Sequence, residues 1–126
     1  MFKKRWGRIG DSPVIGAGTY ADNNSCAVSC TGHGEYFIRH AVAFDVCARY
    51  KYLKESVEKA ADYIIHTELN TNAGNGGLIA VDKLGNIAMP YNSGGMFRGF
   101  LYKEKGRPEI KKGCGIGKKI VVVGEK

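Results

Sequence analysis

Long apolar runs are missing from this chain of 126 residues. No stretch approaches the roughly 20 apolar residues that a membrane-spanning helix needs, and we expect no leader, which would show a positive start and a hydrophobic block. We therefore expect no membrane partner and a cytoplasmic location. Since 44% of the residues are hydrophobic, the chain can bury a core and is expected to form one domain.

Acidic residues are outnumbered by basic ones, 12 against 19, and the formal charge is +7. Such a charge raises the prospect of nucleic acid as a partner. The basic residues concentrate at the two ends of the chain, however, and no element interleaves basic and aromatic side chains as nucleic-acid modules usually do. Ordinary solvated surface is the favoured interpretation. We expect no nucleic-acid partner, and a small basic nucleic-acid binder is kept as an alternative.

The spacing of metal ligands is also absent. The cysteines are Cys26, Cys30, Cys47 and Cys114. The spacing of Cys26 and Cys30 is not that of a zinc knuckle, and the histidines form no paired set with them. Because Cys26 and Cys30 fit one face of a strand and Cys47 falls inside a helical pattern, reduced core thiols are expected rather than disulfides.

The hydrophobic pattern predicts one strand, two helices and then strands in succession. The predicted elements are a strand at 25–31, helices at 35–53 and 55–69, a hairpin of 78–81 and 87–89, and a short strand near 96–102. From Lys103 to 119 no periodicity is present, so a loop or loosely attached tail is expected, and KIVVVGEK at the end is a candidate strand. This order favours an α+β fold, a mostly antiparallel sheet with two helices on one side.

The segment GRIGDSP, residues 7–13, holds Arg8 and Asp11 on a backbone rich in turn-forming residues. One interpretation is a β-turn with a surface ion pair. The other is a clamp for a small zwitterion, in which the guanidinium binds a carboxylate in a two-point fork and the carboxylate binds an ammonium.

A second glycine cluster, SCTGHGE, follows the predicted strand and precedes the first predicted helix. Backbone N–H groups in such a turn favour negative charge, so Thr31 and Gly32 are candidates to stabilise a developing oxyanion. No Lys-Ser/Thr pair follows the glycines, which argues against a phosphate loop. The structural alternative is a turn that needs positive φ at Gly32 and Gly34, with His33 an ordinary surface residue. The glycines near 75–77 and the segment NSGGMFRG, residues 92–99, are interpreted as turns around the sheet without a catalytic role.

The two clusters occur together in a longer stretch, GRIGDSPVIGAGTYADNNSCAVSCTGHGE, followed by IRHAVAFDVCARY and GGLIAVDKLGNIAMPYNSGGMFRG. These segments resemble the β subunit of plant-type L-asparaginases, also called isoaspartyl peptidases. Those proteins are N-terminal-nucleophile hydrolases of the type 2 asparaginase family, whose precursor cuts itself to expose a Thr. The resemblance covers 1–102, and 103–126 is expected to be a divergent basic tail. The resemblance implies that the chain is the β-subunit part of an αββα sandwich.

The resemblance also implies a role for individual residues. Arg8 would bind the substrate α-carboxylate and Asp11 its α-amine, which favours the clamp interpretation. Thr31 and Gly32 would form the oxyanion hole, and the carbonyl of Gly34 would support the amine. The expected substrate-binding residues are Arg8, Ile9, Gly10, Asp11, Thr31, Gly32, His33 and Gly34.

The implied reaction is hydrolysis of the side-chain amide of L-asparagine and of β-aspartyl dipeptides, without a cofactor or metal. The implied partners are these small-molecule substrates, an α subunit and a second αβ unit in an (αβ)2 assembly. The nucleophilic Thr of that family has no counterpart in this sequence, because Thr19, Thr67 and Thr71 are expected in loop or helix contexts. The isolated chain is therefore expected to be inactive. A catalytically inactive remnant that still binds amino acids or isoaspartyl groups is the alternative.

Overall fold

The computed structural model describes residues 5–103, 110–115 and 121–124. The chain divides into two compact units, Met1–Asn92 and Ser93–Lys126. Both glycine clusters, GRIGDSP and SCTGHGE, lie in the first unit. The candidate site is therefore built from the first unit alone.

The first unit is built on a four-stranded antiparallel sheet with the order β1-β2-β3-β4. The strands are β1 (Thr19–Ala21), β2 (Cys26–Gly32), β3 (Gly76–Asp82) and β4 (Ile87–Ala88). β2 and β3 pair along their whole length, from Cys26 opposite Asp82 to Gly32 opposite Gly76. The predicted strand and hairpin are confirmed. Gly76 and Thr19 were expected outside strands, but backbone pairing places Gly76 in β3 and Thr19 in β1.

Two helical segments pack on one face of this sheet, which confirms an α+β fold with the helices on one side. The first consists of α1 (Gly34–Arg39) and α2 (Val42–Ala48) and ends in a π-helical turn, Arg49–Leu53. The second is α3 (Val57–Tyr63), which continues as π-helical Ile64–Leu69. The buried core includes Cys26, Val28, Cys30, Phe37, Val42, Val46, Val57, Ile64, Ile65, Leu69 and Leu78.

The break between α1 and α2 departs from the single first helix predicted from the apolar spacing. Ala41 has a φ of 45°, in the left-handed region. The N–H groups of Ala43 and Phe44 donate to the carbonyls of Ala17 at 3.0 Å and Gly16 at 2.8 Å. These bonds satisfy N-terminal groups of α2 that have no partner within the helix. The pattern could not reveal the break, because its partners lie in a distant loop.

The opposite face of the sheet is exposed in the described part of the first unit. Ile79 and Val81 on β3 are 50% and 42% exposed. Their register partners on β2, Ser29 and Ala27, are exposed as well. Contiguous apolar side chains on an open sheet are typical of a surface that packs against another layer.

The second unit contains a three-stranded antiparallel sheet of β5 (Arg98–Lys103), β6 (Ile110–Gly115) and β7 (Val121–Gly124), in that order. β5 and β7 agree with the strands predicted near 96–102 and at the end of the chain. The loop predicted after Lys103 is wrong at β6, because backbone pairing with β5 forms a strand there without any apolar alternation. The rest of that predicted loop, 104–109 and 116–119, lies outside the described residues.

The turn between β3 and β4 is held by Asp82, which is 7% exposed. Its Oδ1 accepts the N–H groups of Leu84 at 2.8 Å and Asn86 at 2.9 Å, and its Oδ2 accepts the Asn86 side-chain amide at 2.8 Å. Burial by itself would raise the pKa of Asp82. These hydrogen bonds outweigh burial and hold the pKa below its ordinary value.

Asp82 is therefore expected to stabilise the fold above its unfolded pKa, and this contribution is lost as the pH falls through the lowered folded value. Asp82→Asn should lower the free energy of unfolding at pH 7 by about 1–2 kcal/mol, because it removes a charged acceptor. Urea denaturation at neutral pH and below the unfolded pKa of about 3.9 measures this. The free energies of unfolding of the native chain and of Asp82→Asn should differ less in acid than at neutral pH. A difference that stays constant would contradict the prediction.

Cys26, Cys30 and Cys47 are free and buried. The Cys47 thiol donates to the carbonyl of Cys26 at 3.1 Å. Burial raises the pKa of Cys30, and the negative charge of Asp11 adds to that rise. The neighbouring Cys26 thiol lowers the pKa of Cys47. Since all three thiols lie in the core, access rather than ionisation limits their reactivity.

A Cys114→Ser variant isolates these three thiols for a labelling test. We expect little reaction with a disulfide reagent in the folded chain and complete reaction in denaturant, because the thiols are buried. The released chromophore counts the accessible thiols. A further Cys30→Ser change should remove one thiol from the denatured count only, and fast labelling of the folded chain would contradict the packing.

Candidate functional site

Asp11 is the buried residue of the GRIGDSP segment. It is 3% exposed, whereas Arg8 and Ile9 are exposed. The backbone turns at Asp11, whose carbonyl accepts the N–H of Val14 at 2.9 Å. The segment thus places one charged side chain inside the fold and the other on its surface.

Two glycines let this turn pack against the core. Gly18 lies so close to Asp11 that an added Cβ would overlap the Asp11 carbonyl. The carbonyl of Gly18 accepts the N–H of Cys30 at 2.8 Å, which ties the turn to β2. At Gly34, the first residue of α1, an added Cβ would stand 2.7 Å from Asp11 Oδ1. The two glycine clusters singled out in the sequence therefore meet at one carboxylate.

The Asp11 carboxylate retains unused hydrogen-bonding capacity. Its Oδ2 is buried and has no hydrogen-bond partner among the described residues. Leaving a buried polar group unsatisfied costs about 1–3 kcal/mol, and more when the group is charged. An ammonium group, or another cationic donor, is the ligand chemistry that would satisfy this oxygen.

The end of β2 forms the second part of the candidate site. Gly32 has a φ of +150° and pairs with Gly76 on β3. The buried Phe37 ring covers this pair, and a Cβ added to either glycine would stand 2.8 Å from a ring carbon. The positive φ considered for Gly32 is observed. Gly34 is required for a different reason, since it makes room for Asp11.

Thr31 and His33 flank Gly32, and both are exposed. Thr31 lies opposite Gly77 at the end of the sheet. The N–H of His33 donates to the carbonyl of Asn75 at 2.9 Å, so it is engaged within the fold. Gly10, next to Asp11, is partly buried. Every residue that the resemblance assigned to substrate therefore belongs to the 8–11 segment or to the join of β2 and α1.

Asn92 was not predicted from the sequence. It follows β4, and its side chain is bonded to residues 65, 74 and 76. These partners lie as far as 27 positions away along the chain. No local pattern could have identified Asn92, because its contacts exist only after the strands have paired.

The other end of β2 and β3 is less suited to a ligand. Two cavities of about 380 and 420 Å³ lie there beside Asp82 and Lys83. The nearby carboxylates are already paired, Asp22 with Lys51 at 3.0 Å and Asp82 with its own turn. Among the described residues no group of three or more His, Cys, Asp or Glu side chains could hold a metal. No described helix combines the length and apolarity needed to cross a membrane.

Known proteins match most of this chain. The family model described as Asparaginase matches residues 1–110. The isoaspartyl peptidase of Salmonella typhimurium is 50% identical over 102 residues, 81% of this chain and 33% of that protein. The Escherichia coli isoaspartyl peptidase is 45% identical over 116 residues, 84% of this chain and 36% of that protein. The human isoaspartyl peptidase/L-asparaginase is 42% identical over 96 residues, 76% and 31% of the two chains. The chain spans about a third of the length of these relatives.

Asp11→Asn is expected to leave the stability of the chain unchanged or to raise it by about 1 kcal/mol, because it removes a buried charge whose Oδ2 lacks a hydrogen-bond partner. The free energy of unfolding from urea denaturation measures this. Asp82→Asn is the matched control, since it changes a buried carboxylate that is fully bonded to its turn. Equal destabilisation by the two changes would show that Asp11 is an ordinary structural carboxylate.

Proposed function

Because this chain belongs to the type 2 asparaginase family, we propose that it supplies the substrate clamp and the oxyanion hole of an amidohydrolase. The substrates are the side-chain amide of L-asparagine and β-aspartyl dipeptides, in keeping with the names of its relatives. The observation that carries this proposal is the buried Asp11 oxygen that has no hydrogen-bond partner among the described residues.

Asp11 binds the α-ammonium group of the substrate. A carboxylate that is 3% exposed gains strongly from a charged donor, because water does not screen the pair. Gly34 leaves room beside Asp11 Oδ1, and its backbone carbonyl offers the ammonium a second acceptor. The same packing that buries Asp11 thus favours a small primary amine over a bulky cation.

Arg8 binds the α-carboxylate of the same substrate. The guanidinium presents a planar fork that matches a carboxylate. Arg8 is exposed and lies three residues before the buried Asp11. Ile9 and Gly10 connect the two charged residues and border the ligand. Opposite charges on one short, turned segment suit the two ends of an amino-acid head group.

Thr31 and Gly32 stabilise the oxyanion that forms when the amide carbonyl is attacked. A hydroxyl and a backbone N–H are suitable donors to a developing negative charge, and they act best when the fold holds them in place before the reaction. Gly32 is held by its pairing with Gly76 and by the Phe37 ring. His33 borders the same end of β2.

The nucleophile in this proposal is a Thr outside this sequence, whose own α-amine acts as the base. In this proposal a second sheet packs on the face that exposes Ile79 and Val81 and forms the missing layer of the αββα sandwich. That sheet comes in part from an α subunit, and two αβ units form the complete enzyme. The proposal also places this enzyme in the cytoplasm.

The clamp is tested by calorimetric titration of the chain with L-aspartate, the reaction product that carries the same head group. Arg8→Ala and Asp11→Asn should each weaken binding at least tenfold, because each leaves one charged end of the ligand unpaired. Arg39→Ala and Asp62→Asn, on exposed helix surface, are the matched controls and should bind as the native chain does. Equal binding by all four variants would overturn the clamp.

Turnover is tested on the protein as its own cell makes it. Its intact mass and N-terminal sequences show whether a chain beginning with Thr accompanies this one, and ammonia release from L-asparagine measures hydrolysis. Binding of aspartate without hydrolysis of either substrate would favour an inactive remnant over an enzyme. If the chain instead binds nucleic acid, with an affinity that falls steeply as the salt concentration rises, the nucleic-acid alternative is favoured.

A further inference from the structure

Asn92 joins three separate parts of the first unit. Its Oδ1 accepts the N–H of Gly76 at 2.8 Å, and its backbone N–H donates to the carbonyl of Gly76 at 2.9 Å. Its side-chain amide donates to the carbonyls of Gly74 at 2.9 Å and Ile65 at 3.3 Å. One side chain therefore holds the loop that enters β3 and anchors it to the second helical segment.

This loop supports the backbone around Gly32. Gly76 pairs directly with Gly32, and the carbonyl of Asn75 accepts the N–H of His33 at 2.9 Å. The contact is close, because a Cβ added to Gly32 would overlap the carbonyl of Asn75. Any displacement of residues 74–76 must therefore move the peptide groups on both sides of Gly32.

We propose that Asn92 is a positioning residue for the oxyanion hole. It holds the loop 74–76, and this loop in turn fixes the orientation of the Thr31–Gly32–His33 backbone. The inference rests on the proposed function, in which Gly32 donates to the oxyanion. Asn92 itself touches neither the substrate nor the reacting atoms in this proposal.

A positioning role has a different kinetic signature from a role in binding. The clamp residues Arg8 and Asp11 lie on another segment, tied to β2 through Gly18, and Gly34 beside Asp11 is held as the first residue of α1. Loosening the loop should therefore leave the binding of the amino-acid head group intact. It should slow the chemical step, because donors to a transition state act only in the correct geometry.

Asn86 provides a matched control. It lies on the same β3–β4 hairpin but at the opposite end, where its amide donates to Asp82 Oδ2 at 2.8 Å. Like Asn92, it uses its side chain to hold a bend next to β3. Asn86→Ala removes one side-chain hydrogen bond at the Asp82 turn without touching the loop 74–76, so it reports what the loss of a hairpin contact elsewhere does to the enzyme.

The experiment compares kcat and KM for L-asparagine in the complete enzyme carrying the native residue, Asn92→Ala, Asn92→Asp or Asn86→Ala. Asn92→Asp retains the acceptor for the Gly76 N–H but loses both donated bonds. We expect both Asn92 variants to lower kcat by about tenfold or more with KM unchanged. Asn86→Ala should retain the native kcat. All assays are made well below each variant's melting temperature.

The possible outcomes separate this inference from the proposed function. An inactive native enzyme overturns the proposed function and this role of Asn92 with it. An active native enzyme whose Asn92 and Asn86 variants have the same kcat overturns the positioning role alone. A raised KM with native kcat in the Asn92 variants also overturns it, because the loop would then serve binding. In the isolated chain, faster hydrogen exchange at the His33 amide in Asn92→Ala than in Asn86→Ala supports the structural link, and equal exchange contradicts it.

Discussion

The packing of the Phe37 ring on the Gly32–Gly76 pair is the constraint on which the rest of the first unit depends. The ring reaches both glycines because neither has a side chain, and this contact joins α1 to the ends of β2 and β3. Gly34 lies one helical turn before Phe37 and packs against Asp11. The position of the Phe37 ring therefore also sets the distance between α1 and Asp11. Sheet, helix and turn are thus positioned by one aromatic side chain and the absence of three Cβ atoms.

The carboxylates of the first unit show how stability and ligand binding are divided within it. Asp82 and Asp22 are satisfied by neighbouring donors and hold turns of the backbone. Asp11 is buried as deeply as Asp82 but keeps one oxygen without a partner. An unsatisfied buried charge weakens a fold, and such groups concentrate where a ligand completes them. The contrast among three residues of the same type supports a binding role for one of them.

Much of this architecture could be predicted from the sequence. The alternation at 25–31 and the helical spacing after it identified the strand, the helices and their order, because each is a local pattern. Four features required the fold itself: the strand at Thr19–Ala21, the break at Ala41, the strand at Ile110–Gly115 and the contacts of Asn92. Each depends on hydrogen bonds between distant residues. The roles of Arg8, Asp11, Thr31 and Gly32, and the division into 1–102 and a tail, came from resemblance to a family and stay predictions.

The pairing of β2 with β3 has a consequence for how the chain folds. These neighbouring strands are separated in sequence by both helical segments, so the sheet closes a long loop instead of a hairpin. Contacts between residues far apart in sequence form late, after local helices have had time to form. During synthesis the helices can form before β3 exists. The Gly32–Gly76 pair and the hydrogen bonds of Asn92 can form only after residues 76–92 have left the ribosome. The candidate site is therefore among the last parts of the first unit to be assembled.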